Sequence, residues 1–180
     1  MAGFSGWRQL ADRDGFYVVY PQGLEDLDCG DEYQDPYAGW NAGRCCSAAS
    51  TQCSNIDDVG FLRAAATNVL SATGADPTRV YFGGHSTGCK MAQRMAWEAS
   101  DLVAAVGCHA GELALFDNSL GPQDAPYASP PACYTPTSVL IVYGDKDDLL
   151  PPEGTSTQPW WQPMTVALQL LIPSQQKNLE

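Results

Sequence analysis

The stretch from Arg79 to Ala99, RVYFGGHSTGCKMAQRMAWEA, constrains this chain more than any other part of it. Arg79 to Gly83 is a short β-branched and aromatic run that reads as a strand. Cys89, Ala92, Met95, Ala96 and Ala99 then mark the buried face of a helix. Between them lie only Gly84-His85-Ser86-Thr87-Gly88. A strand that becomes a helix so abruptly brings two backbones close together, and glycines two before and two after the apex relieve the crowding. The apex residue, Ser86, is pushed above the sheet in strained backbone geometry. The N–H of Thr87 is aimed at the same place, where it can stabilise a tetrahedral oxyanion. A G-x-S-x-G match arises often by chance. Its weight comes from the strand before it and the helix after it.

The rest of the chain repeats this alternation. Phe16 to Tyr20 (FYVVY), closed by Pro21, reads as a buried strand. The segment from about Trp7 to Arg13 reads as the end of a helix stopped by Gly15. Asn55 offers an N-cap with Asp58 three residues on, and Asp57 and Asp58 suit the positive end of a helix dipole. Val59, Leu62, Ala66 and Val69 follow at helical spacing, with Gly74 as the stop. Leu102 to Gly107 (LVAAVG) and Ser138 to Gly144 (SVLIVYG) are two further apolar runs of strand length. Strands alternating with helices predict an α/β fold: a mostly parallel sheet with helices on both faces. Gly23 to Gln52 reads as a long irregular acidic stretch, and the part from Pro151 onward shows little periodicity.

Composition excludes several classes of function. Among 180 residues, 21 are acidic and 9 basic, a net charge of −12. That balance argues against nucleic acid or an anionic membrane surface as a partner. No apolar run approaches the roughly 18 residues needed to span a bilayer. The seven cysteines, at 29, 45, 46, 53, 89, 108 and 133, show no C-x₂₋₄-C spacing of a structural zinc site. They point instead to an oxidising compartment, some disulfides of undetermined pairing and an odd thiol. The first residues lack the apolar segment of a signal peptide.

A serine nucleophile needs a base and an acid to orient it. Asp145, Asp147 and Asp148 directly follow SVLIVYG, at the strand end where such sheets place their sites. Only two histidines exist, His85 and His109, and neither follows these acids. His85 sits inside the turn. His109 follows LVAAVG and reads first as a packed strand-end residue, second as a substitute base. The acidic loop of Glu25, Asp26, Asp28, Asp31, Glu32 and Asp35 lacks EF-hand order and reads as solvated, with no metal or cofactor implied. Trp40, Trp160 and Trp161 read as core or latch before they read as a sugar or aromatic-acid pocket.

Several motifs together resemble one family. GFYVVYPQG, GWNAGRCC, IDDVGFLRA, DPTRVYFGGHSTG, KMAQRMAWEASDLVAAVGCHAG and VLIVYGDKDDLLPPEG occur in the order found in polyhydroxybutyrate depolymerase-like and feruloyl esterase-like secreted serine esterases of the α/β-hydrolase fold. The resemblance covers about residues 7 to 154. It implies Ser86 as nucleophile, Asp147 as the acid, a structural role for Asp57 to Phe61, and an extracellular setting. It also implies an ester substrate, either a hydroxyalkanoate polyester or a feruloyl ester of plant polysaccharide. Two departures stand out: the family's His-Gly turn, which supplies a second oxyanion N–H, and its histidine beyond the acid have no counterpart here. Residues 1–154 are therefore expected to form an incomplete α/β-hydrolase esterase domain, and 155–180 a divergent tail. A non-catalytic esterase-like domain is the alternative expectation.

Overall fold

The computed structural model describes residues 5–25, 38–42, 56–111 and 131–147. Its elements in chain order are α1 (Trp7–Asp14), β1 (Leu24–Glu25), β2 (Ala38–Gly39), α2 (Asp58–Thr73), β3 (Tyr81–His85), α3 (Thr87–Glu98), β4 (Ala105–His109) and β5 (Ser138–Val142). β1 and β2 form a small antiparallel ladder within the stretch read as irregular. The central sheet has the order β3-β4-β5 and is wholly parallel. This is the α/β arrangement expected.

The register explains which residues are inside. Phe82, Val106 and Val139 lie in one row, and Gly84, Cys108 and Ile141 lie two rows on. Side chains alternate faces along a strand, so these rows share a face, and α3 packs against it. Val106, Cys108 and Ile141 are buried there with Cys89, Met91, Ala92, Met95, Ala96 and Ala99, and Leu62 of α2 joins the same cluster. The opposite face carries Tyr81, Leu140 and Val142, each half or more exposed, and the two histidines. The described residues thus furnish one of the two helical layers expected. Among them, no helix is long and apolar enough to cross a membrane.

Local sequence sets the boundaries. α1 ends at Gly15 and α2 at Gly74, both in the left-handed region that glycine tolerates. The cap of α2 is Asp57, which accepts the Gly60 N–H at 2.7 Å, two residues beyond the expected Asn55. Asn55 lies outside the described residues. β4 starts three residues later than the apolar run suggests. The N–H groups of Leu102 and Val103 are taken by the Ala99 carbonyl, at 2.9 and 3.1 Å, and so close a turn instead of a ladder.

One expectation is corrected. Phe16 to Tyr20 is not a strand, and Phe16, Tyr17 and Val19 are exposed. β-branched and aromatic residues favour a pleated conformation only where a neighbouring strand completes it. Here Phe16 packs edge-on against Trp7 of α1, and the Tyr20 hydroxyl meets Ser5 Oγ at 3.2 Å.

Candidate active site

β3 ends at His85 and α3 begins at Thr87, so Ser86 alone makes the turn between them. Its backbone, φ 53° and ψ −120°, is in the positive-φ region that costs a non-glycine residue on the order of 1–3 kcal/mol. Ser86 also occupies the N-cap of α3. Serine at that position usually accepts a backbone N–H through its side chain, yet Ser86 makes no such capping bond. No capping bond of its own side chain thus offsets the strained conformation.

The two motif glycines have unequal roles. A Cβ on Gly84 would lie 2.2 Å from the Gly88 carbonyl carbon and 2.7 Å from Cys89 N. A Cβ on Gly88 would meet nothing within 4 Å. Only Gly84 is required by crowding, and the sequence expectation for Gly88 is corrected on this point.

The turn is tied to β4 behind it. The Ser86 N–H donates to the His109 carbonyl at 3.0 Å, and the Ser86 carbonyl accepts from Cys89 N at 2.9 Å and Lys90 N at 3.1 Å. Cys89, in the first turn of α3, is disulfide-bonded to Cys108 of β4. Among the described residues Cys133 is a free, exposed thiol, and Cys29, Cys45, Cys46 and Cys53 lie outside them. The Cys89–Cys108 bond matches the expectation of a disulfide.

His85 and His109 face each other across β3 and β4 in register. Their rings stack at 5.1 Å between centroids, with 16° between planes, on the exposed face of the sheet. His109 is thus a surface residue beside the serine turn, not the packed one expected. Thr87 opens α3. Asp147 arrives at the same end of the sheet, five residues after β5, in a turn closed by its N–H on the Gly144 carbonyl at 3.3 Å. Ser86, Thr87 and His109 are brought together directly; Asp147 comes to the same end from β5.

The sequence reading passed over Gln93 and Tyr143. Gln93 is 4% exposed, and its Nε2 donates to the Gly111 carbonyl at 3.1 Å. The Tyr143 hydroxyl donates to that same carbonyl at 2.9 Å. A polar residue one helical turn from Cys89, on an otherwise apolar face, was the available signal for Gln93. Trp40 stacks on Phe61 at 6.4 Å and packs on the core, while Trp160 and Trp161 lie outside the described residues.

This sequence is similar to two proteins named as esterases. One is "Putative esterase NocK" of Nocardia uniformis subsp. tsuyamanensis, 33% identical over 158 residues, which are 86% of this chain and 38% of that protein. Another is feruloyl esterase B of Talaromyces funiculosus, 28% identical over 109 residues, 61% of this chain and 27% of that protein. The chain spans less than two fifths of either relative's length. No family model matches. No solved structure matches.

Proposed function

We propose that this chain carries the nucleophile segment of a secreted carboxylic ester hydrolase working through an acyl-serine intermediate. The observation that supports it most is Ser86, held at a strained strand-to-helix turn while its side chain does no capping. Ser86 Oγ attacks the ester carbonyl and the alcohol leaves, giving an acyl-enzyme that water hydrolyses. The Thr87 N–H, at the positive end of α3, stabilises the oxyanion. Asp147 orients an imidazole that takes the serine proton.

Of the two histidines, His109 is the one we take as the substitute base: it ends the strand beside the Ser86 turn, its carbonyl bonded to the Ser86 N–H and its ring exposed. The substrate is an ester of the kind named for the Talaromyces relative, a feruloyl ester, or a hydroxyalkanoate polyester. A non-catalytic esterase-like domain is the second reading, favoured by the two histidines stacking on each other on the exposed face of the sheet.

A fluorophosphonate probe tests the nucleophile. Labelling of the folded chain that disappears in Ser86→Ala is the expected result. No labelling of the folded chain would overturn the catalytic reading for this polypeptide and leave the second. If labelling occurs and His109→Ala keeps the same rate, His109 is not the base.

A further inference from the structure

The Gly111 carbonyl is the meeting point of three elements. It takes one side-chain donor from α3, Gln93, and one from just past β5, Tyr143. The residues leading to it, His109 to Gly111, are fastened on both sides. The His109 carbonyl accepts the Ser86 N–H at 3.0 Å, and the Ala110 N–H donates to the Val142 carbonyl at 2.9 Å. Ala110 sits at φ 51°, a left-handed conformation disfavoured for alanine, and Gly111 is seated beyond it. That seat is tight: a Cβ on Gly111 would lie 2.7 Å from the Ser86 carbonyl oxygen and 2.7 Å from Cys89 Cβ.

Thus the backbone beyond β4 touches the serine turn directly on one side and the end of β5 on the other. Asp147 lies four residues after Tyr143. A single donor would satisfy a buried carbonyl. Two donors from separate elements do more, because they cross-link those elements through a shared acceptor.

We propose that Gln93 and Tyr143 are positioning residues, which clamp the Gly111 carbonyl and so fix the Ser86 turn relative to β5 and Asp147. The catalytic significance of the clamp rests on the reading of Ser86 as nucleophile; the clamp itself is a statement about the turn. Neither residue touches the reacting atoms. Tyr143 reaches the Gly111 carbonyl through its hydroxyl and packs on the core through its ring, so Tyr143→Phe removes this arm of the clamp while keeping the packing.

Two measurements on the full chain separate the clamp from the nucleophile. The first is native-state amide exchange at the Ser86 and Ala110 N–H groups, with the Gly74 N–H, bonded to the Leu70 carbonyl at 2.9 Å, as the distant reference. In Tyr143→Phe, exchange at Ser86 and Ala110 is expected to quicken about fivefold, the scale of one lost buried hydrogen bond, with Gly74 unchanged. Gln93→Leu should act on the same two amides. Unchanged exchange at both, or an equal rise at Gly74, overturns the proposal.

The second measurement is the rate of phosphonylation by a fluorophosphonate probe. It should fall about three- to tenfold in Tyr143→Phe, at an unchanged pH profile. Local loosening without any loss of phosphonylation rate would overturn the positioning role. If the native chain is not phosphonylated at all, the nucleophile reading fails, and exchange alone decides whether the two side chains hold the turn. Should Gln93→Leu not fold, Tyr143→Phe decides the matter by itself.

Discussion

At the scale of single residues, the motif that dominated the sequence turns out to be asymmetric. Gly84 has the Gly88 backbone where its own Cβ would be, whereas Gly88 faces open space. Gly84→Ala is therefore expected to lower stability by about 2 kcal/mol or more and abolish probe labelling, since β3 and α3 must separate. Gly88→Ala should change stability by less than about 1 kcal/mol, and a helical position even favours alanine. Thermal melts and labelling of the two variants check this; equal damage from both would contradict the steric account. A motif pattern names both glycines alike because it records residue type, not which backbone intrudes on which. Ser86 was legible for the opposite reason: a strand, a glycine and a helix leave only one conformation for the residue between them. Gln93 and Tyr143 were not legible, because their shared acceptor is a backbone carbonyl brought to them only by the folded sheet.

At the scale of elements, α2 shows how adjacent acids divide their work. Asp57 caps the helix, while Asp58 turns inward, 5% exposed, and accepts the Asn41 N–H at 2.6 Å. Asn41 in turn donates through Nδ2 to the Ile56 carbonyl at 2.9 Å and accepts from Arg94 of α3. So the segment after β2 is pinned between two helices. Burial holds the Asp58 carboxyl above its ordinary range, against the opposing pull of the Asn41 N–H and the Arg94 charge.

The linkage follows from that direction. A carboxyl raised in the folded state contributes stability that is fully present below its unfolded value, near 3.8, and is lost as pH rises through the folded value. Asp58→Asn should therefore compare more favourably with the native chain at pH 7 than at pH 3.5, measured by denaturant melts at both. The reverse ordering would mean that the ionised form is the favoured one. The apolar spacing made α2 readable, but which acid caps and which is buried depends on Asn41 and Arg94, remote in sequence. The same logic explains FYVVY: its composition is that of a strand, and a strand is defined by a partner.

At the scale of the whole molecule, the two faces of the sheet differ in kind among the described residues. One is closed by α3. The other presents Tyr81, Leu140 and Val142, with Leu140 in register with Gly83 and Gly107, neither of which has a side chain to shield it. Exposed apolar side chains of this sort favour association, and the net charge of −12 opposes it only while salt is low. Light scattering is expected to show self-association growing between about 0.05 and 0.5 M salt, where the screening length falls well below 10 Å. The Leu140→Thr/Val142→Thr pair should suppress it. A salt-independent monomer would show that this face is shielded. The α/β class was legible from alternating strand and helix patterns. Which face the described residues leave open was not, because period-two alternation is weak in runs as uniformly apolar as SVLIVYG.

The bond between Cys89 and Cys108 spans 19 positions of sequence, which in chain-entropy terms removes about 3 kcal/mol of freedom from the unfolded state. Its geometry adds a selection rule. In β4 the residues on either side of Cys108, Gly107 and His109, point to the open face. If β4 slid by one residue against β3, Cys108 would swing outward, beyond the reach of Cys89. The Cys89–Cys108 crosslink is therefore compatible with the native alignment and not with a one-residue slip, so it locks the register of the strand behind Ser86 once formed.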